Sequence, residues 1–337
     1  MPFLDSKFKY FHLSLGIIIL AIIVVVPILV SNVFCFSNCQ SNSNSNSNSN
    51  NNSNVNPTGP NPRSAPPNYG SADNSSCECG YWDRTNRHLW TQSESVQFKN
   101  LSSLNNQSVF RISNRFASVG RGGTFNRWFQ REQVSISSQG LEIRVSPVNA
   151  SAIACGQLES RRADHLYGTF RARMLAPTIP GTCSAFYYYK DDINEIDVEA
   201  ISALASNSNM PTVFMGIQSA NLDTWYSKTY ESEWTEYRFD WLPSSVKMFN
   251  NGAFVKSFEE KIPNLGGSVL FSHWSNGAPG WTQGPPIDTV TLIVESYTSY
   301  FNSSDQSLND KCRTPLEFWT NPDDDAVAKR SKICYID

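Results

Sequence analysis

From about residue 134 the chain alternates apolar and polar positions with a period of two. Val134-Ser135-Ile136-Ser137 and Leu141-Glu142-Ile143-Arg144-Val145 flank Gly140, and residues 167–174, 185–189 and 289–294 are further short runs rich in β-branched and aromatic side chains. Alternation of this kind predicts strands, because successive side chains of a strand point to opposite faces. Residues 246–249 and 253–255 bracket Asn250-Asn251-Gly252, whose turn residues accept positive φ, so a hairpin is predicted there. No long stretch carries the 3.6-residue period of an amphipathic helix. Many short strands with turn residues between them argue for an all-β sandwich or jelly roll.

Upstream the pattern changes twice. Lys7 and Lys9 precede an apolar run over residues 13–30, and no charged residue follows until Arg63. Positive charge before the run and none after it orients the N-terminus to the cytoplasm and the remainder outside. The run is near the length that spans a bilayer, and Ser31-Asn32-Val33-Phe34-Cys35 offers no Ala-x-Ala cleavage site. Residues 1–35 are therefore read as a cytoplasmic tail and an uncleaved type II transmembrane anchor, with a cleaved secretory signal as the alternative. Residues 36–76 are a Ser/Asn and then Pro-rich tract that cannot bury apolar surface, and read as a disordered stalk. The folded domain is placed at 77–337, with a Cys-containing tail from about 305.

Composition narrows the partners. A net charge of −3 suggests no polyanion, and the four His never fall at metal-ligand spacing. Nine Trp and thirteen Tyr exceed what a core of this size needs, so some are expected to line a groove. Of eight Cys, six lie in the folded part (Cys77, Cys79, Cys155, Cys183, Cys312, Cys334). An even count in an exported domain reads as disulfides, with buried thiols as the alternative. The pairing is not deducible, although Cys312 with Cys334 would fasten the tail. Sequons at Asn74, Asn100, Asn106, Asn149 and Asn302 agree with an exported glycoprotein.

The chemistry concentrates in Glu195-Ile196-Asp197-Val198-Glu199. The β-branched residues between the carboxylates favour a strand, which puts all three acids on one face. The two Glu Cα atoms then lie roughly 13 Å apart, and side chains leaning together can bring the carboxyls to about 5–5.5 Å, the spacing of a retaining glycosidase. The Asp197 charge between them disfavours ionisation of a neighbour, which suits one Glu to act as an acid. Three acids on a buried or a plainly solvated face would be unfavourable, so a cleft that uses them explains the arrangement. There is no Gly-x-Ser-x-Gly elbow, no His-Glu-x-x-His, and Gly120-Arg121-Gly122-Gly123 lacks the spacing of a nucleotide loop.

Four stretches between about residues 107 and 300 resemble glycoside hydrolase family 16, the group of lichenases, laminarinases and related transglycosylases. They are Gly122 to Trp128, Gly156 to Met174, Asn194 to Glu199, and His273-Trp274-Ser275-Asn276-Gly277. The resemblance implies a concanavalin A-like jelly roll, with Glu195 as nucleophile, Glu199 as general acid/base and Asp197 assisting. It implies no cofactor; relatives carry calcium on the convex side, for which no ligand cluster stands out here. The unbulged Glu-x-Asp-x-Glu is similar to the lichenase and transglycosylase side of the family, while Ala200-Ile201-Ser202 departs from the usual aromatic-plus-Gly ending. Trp128, Trp274, Tyr187, Tyr189 and Trp225 are the candidate sugar platforms, and Asn276 a candidate hydroxyl partner. His273 lies near the proposed cleft and reads as a satisfied imidazole ahead of a catalytic one. The expected activity is endo-hydrolysis of a β-1,3 or mixed β-1,3/1,4-glucan, probed against two alternatives: a cell-wall transglycosylase using the same carboxylates, and a non-catalytic glucan-binding protein. Expected partners are the β-glucan and, through the N-terminal helix, a membrane; no nucleic acid is expected.

Overall fold

A computed structural model describes residues 77–336, apart from 121, 150, 151, 205–209, 220, 221 and 311. The apolar run, the stalk and the Asn74 sequon lie outside the described residues. In chain order the strands are β1 (Gly80–Asp83), β2 (His88–Trp90), β3 (Gln92–Gln97), β4 (Phe110–Ile112), β5 (Arg115–Ala117), β6 (Asn126–Phe129) and β7 (Val134–Ser137). There follow β8 (Gly140–Val145), β9 (Val148–Asn149), β10 (Ala152–Ser160), β11 (His165–Leu175), β12 (Cys183–Asp191), β13 (Asn194–Leu204) and β14 (Met210–Ser219). The series closes with β15 (Leu222–Thr229), β16 (Thr235–Leu242), β17 (Ser245–Asn250), β18 (Ala253–Phe258), β19 (Ser268–Trp274), β20 (Val290–Ser303) and β21 (Ile333–Ile336). Two short helices, α1 (Leu316–Thr320) and α2 (Asp325–Arg330), precede the last strand.

Among the described residues the strands form three sheets. The ten-stranded sheet runs β15-β14-β13-β12-β19-β10-β6-β5, with β4 and β9 also on β10; the eight-stranded sheet runs β18-β17-β16-β11-β20-β8-β7, with β3 on β20. Their facing sides make the core of a jelly-roll-like sandwich. Ile196 and Val198 of β13 and Phe186 and Tyr188 of β12 join Phe170, Phe239 and Tyr297 of the second sheet, all 0–1 % exposed. Phe186 lies 5.2 Å from Phe239, and Tyr188 4.2 Å from Trp241, between ring centroids. Each such aromatic ring contributes about 1.5–3 kcal/mol by leaving water. The expected hairpin is present between β17 and β18, where Asn251 and Gly252 have φ of 49° and 77°.

The third sheet, β2-β1-β21, joins the two ends of the described chain. Trp82, Phe318, Val327, Ala328 and Ile333 form its own small core. Disulfides Cys77–Cys334 and Cys79–Cys312 staple it. The sequence leaves the pairing open; the tail cysteines bond not to each other but to the N-terminal segment, because β21 lies parallel to β1. Four of the six cysteines are thus bridged, and for the other two the alternative reading holds, since Cys155 and Cys183 are free and buried. Asp83, fully buried, accepts from the Asn86 backbone and side chain, and Asn86 in turn donates to Asp240 of β16 at 2.8 Å. That chain of bonds seats the small sheet on the eight-stranded one.

Candidate active site

β12 and β13 are joined by a tight turn whose register is set by Asp191. Its Oδ1 accepts from the Ile193 backbone N–H at 3.1 Å and from Asn194 Nδ2 at 2.9 Å, an Asx turn. Tyr189 then stands opposite Glu195, Tyr187 opposite Asp197, and Ala185 opposite Glu199. On the other side Gln218, Gly216 and Phe214 of β14 oppose the same three acids. Ile196 and Val198 point into the core, so the three carboxylates share the face turned away from the second sheet. Glu195 and Asp197 are buried, at 8 % and 1 % exposure, while Glu199 is half-buried. Gln218 Nε2 donates to Asp197 Oδ2 at 2.9 Å, fixing the middle acid.

A second apolar cluster floors this outer face, built from Phe129, Ile153, Cys155, Cys183, Ala185, Ile201 and Trp274, with Phe125, Tyr187, Phe214 and Trp281 packed against it. Trp225 lies on the same face, because it opposes Gly216, which opposes Asp197. A Cβ at Gly216 would come within 2.7 Å of the Trp225 ring and would also meet the Thr224 carbonyl. The missing side chain therefore lets the indole lie over β14 beside the acids. Trp225, Phe214 and Trp281 form an aromatic group at the Glu199 end, with Phe214–Trp281 centroids 5.0 Å apart and Trp225–Trp281 6.2 Å. Gly216, Phe214 and Gln218 escape motif reading and emerge only from the register.

Tyr187 and Tyr189 both face the acids, as expected. Tyr189 donates to Asp192 Oδ1 at 2.9 Å. Tyr187 Oη accepts from Gln157 Nε2 at 2.8 Å, and Gln157 Oε1 accepts from Arg115 Nε at 3.1 Å. This line of bonds crosses the outer face from β5 to β12. Burial first, and then the nearby Glu195 and Asp197, push the Tyr187 phenol well up, against the pull of Arg115, so it stays protonated.

Three expected binding residues sit differently. Trp128 opposes Phe116 and Ala154, which puts it on the face opposite to the carboxylates, half exposed on the strand next to the sheet's edge; its neighbour Arg127 takes the site-facing position. Trp274 does face the acids, but it is only 7 % exposed and the Arg127 guanidinium covers its ring at 4.9 Å, so it supports the floor instead of presenting an open platform. Asn276 is 1 % exposed and engaged with the protein. Its Nδ2 donates to the Gly120 carbonyl at 3.1 Å, while Oδ1 accepts from the Ala278 N–H and from Thr282 Oγ1, both at 3.2 Å. It clamps two loops together and, being buried, does not present its amide at the surface.

His273 opposes Gly156 and Ser184 on the inner face and is fully buried. Nδ1 donates to the Ile143 carbonyl at 2.9 Å, and burial lowers its pKa to about 4, so the ring is neutral. It belongs to the core and takes no place among the acids. Cys183 is fully buried next to Glu199, with its Sγ–H directed at Oε1 at 3.5 Å. Burial raises the Cys155 thiol to about 12. Among the described residues no group of three or more His, Cys, Asp or Glu side chains is arranged to hold a metal ion, so the calcium raised by the resemblance has no assigned place.

Residues 122–291 match the sequence model of Glycosyl hydrolases family 16. A beta-glucanase of Brevibacillus brevis is 25 % identical over 172 residues, 48 % of this chain and 65 % of the relative. A beta-glucanase of Bacillus licheniformis is 26 % identical over 168 residues, 47 % of this chain and 66 % of the relative. The chain thus spans just under two thirds of the length of these curated relatives. Among solved structures, a Bacillus licheniformis beta-glucanase superposes with a TM-score of 0.53 at 18 % identity, over 62 % of this chain and 97 % of that one. The endo-beta-1,3-glucanase from Pyrococcus furiosus does so with 0.51 at 12 % identity, over 64 % and 95 %. At these identities the superpositions speak for the fold.

Proposed function

The chain belongs to glycosyl hydrolases family 16, and on that premise we propose that it is a retaining, endo-acting glycosidase of β-1,3 or mixed β-1,3/1,4-glucan. One observation carries the reading: the register of β12, β13 and β14 puts Glu195, Asp197 and Glu199 on one outer face among aromatic side chains. Glu195 attacks the anomeric carbon while Glu199 protonates the departing glycosidic oxygen. A glycosyl ester forms on Glu195; Glu199, now ionised, then takes a proton from a water whose oxygen attacks the anomeric carbon, breaking the ester and freeing the Glu195 carboxylate. Asp197, held by Gln218, lies between them and keeps the ionisation of the two Glu coupled. Trp225 and Trp281 offer ring faces on the Glu199 side for sugar stacking, and the Arg115–Gln157–Tyr187 line sets the other wall. The beta-glucanase relatives support glucan as the substrate class.

The enzyme is further proposed to be exported and held at the producing cell's surface, acting on wall or nearby polymer. Two disulfides in the described domain support an oxidising compartment, and the apolar run over residues 13–30 is the proposed membrane anchor. The test is product analysis on laminarin, lichenan, xyloglucan and chitin oligomers. Shortened β-glucan products are expected. Elongated products would make the same carboxylates those of a transglycosylase, and binding without any product change would make the chain a glucan-binding protein.

A further inference from the structure

We propose that Cys183 is a positioning residue for Glu199, its thiol donating to Oε1 so that the carboxylate is held in place and its ionised form is favoured. The inference rests on Glu199 being the acid/base. Ala185 opposes Glu199 and Cys183 opposes Ile201, so Cys183 is the diagonal neighbour of Glu199 on the adjacent strand and the same face. The Sγ to Oε1 distance is 3.5 Å.

The thiol has little freedom to leave. It is 0 % exposed, within a cluster that includes Ala185, Ile201 and Trp274. The adjoining backbone is pinned as well: the Ser202 N–H donates to the Thr182 carbonyl, the Thr182 N–H donates to Ser202 Oγ, and that hydroxyl donates back to the Thr182 carbonyl, all at 3.0 Å. The two strands are thereby locked beside the contact.

Two other roles for this cysteine are weaker. Cys183 is not half of an unformed disulfide with Cys155, since β19 lies between their strands. Two strand spacings are roughly 9–10 Å, more than the ~7 Å that a bridge tolerates between Cα atoms. Nor is it a nucleophile. Burial, and then the charges and hydrogen bond of Glu199 and the charge of Asp197, hold its pKa well above the usual thiol range, so it remains a protonated donor. A hydrogen bond to the charged form of an acid favours that form. Removing the thiol therefore leaves Glu199 more basic.

The test is the pH profile of kcat/KM on whichever β-glucan the wild type cleaves, read at the basic limb, where the general acid loses its proton. Cys183→Ala is expected to move that limb upward by roughly half to one pH unit, whereas Cys183→Ser, which keeps a donor, stays near wild type. Folded Ala and Ser variants that both retain the wild-type limb would overturn the inference. Should the variants not fold, the infrared S–H stretch of the full-length protein supplies the readout. The Cys183 band is expected to shift toward a free thiol in Glu199→Ala, and an unmoved band would overturn the inference. Glu199→Gln separates the two levels. Full activity in that variant removes the acid/base reading and this inference together; an inactive Glu199→Gln together with an unmoved limb in Cys183→Ala removes only the role of Cys183.

Discussion

Two β-branched spacers put three acids on one face, and their neighbours decide what each acid can do. Asp197 is 1 % exposed with Gln218 on its oxygen, whereas Glu199 is half-buried at the aromatic end of the face. Glu199→Gln is expected to lower kcat by about 10²- to 10⁴-fold, as loss of a general acid does, with folding unchanged by circular dichroism. Trp225→Ala is expected to raise KM about tenfold with kcat little altered, since stacking acts alike on ground and transition states; a fall in kcat at constant KM would place the indole elsewhere in the mechanism. His273 yields a stability prediction. Its pKa is lowered from 6.5 to about 4 in the fold, so the unfolded chain binds the extra proton first. The neutral ring's contribution is complete above about pH 6.5 and is lost as pH falls toward 4, at most ~3 kcal/mol. Urea unfolding at pH 7 and pH 4.5 should show that loss in the wild type and a flatter dependence in His273→Asn. The acids were legible in the sequence because a period of two assigns faces without knowledge of partners. Trp128 was not: a motif places a segment near a groove, but the pairing of β6 with β10 decides that Arg127 faces the site and Trp128 does not. Asn276 and Trp274 likewise read as binding residues because nothing local reveals that Gly120 and Arg127 already occupy them.

At the scale of elements, alternation marked the strands and Asn251-Gly252 marked a hairpin, because both signals are local. The terminal sheet was not legible. Its strands β1 and β21 are short and lie at opposite ends of the described chain, and their parallel pairing is what brings Cys77 to Cys334 and Cys79 to Cys312. Each bridge spans more than two hundred residues, with separations of 257 and 233, but once one has closed, the other closes only a short ring through it. The second bridge is accordingly worth about 3 kcal/mol in chain entropy. Cys79→Ser with Cys312→Ser should lower Tm by on the order of 10 °C. Glucan cleavage below that temperature should persist, because the described contacts of this sheet are with the eight-stranded sheet, while the acids lie on the ten-stranded one. Loss of activity at full folding would mean that the terminal sheet shapes the groove.

At the scale of the molecule, two sheets bury their inner faces on each other and leave one outer face for chemistry. That face carries three acids, a floor of apolar side chains and aromatic rings at one end, on a fold shared with beta-glucanases. The proposed division of labour gives Glu195 the attack and Glu199 the proton transfers. The most direct measurement is peptide mass spectrometry after reaction with a 2-deoxy-2-fluoro glucan oligosaccharide carrying a good leaving group, which slows hydrolysis of a glycosyl ester. A glycosyl adduct on Glu195 is predicted, absent from Glu195→Gln. A label on another residue, or rapid release of the leaving group with no label at all, would contradict Glu195 as the nucleophile.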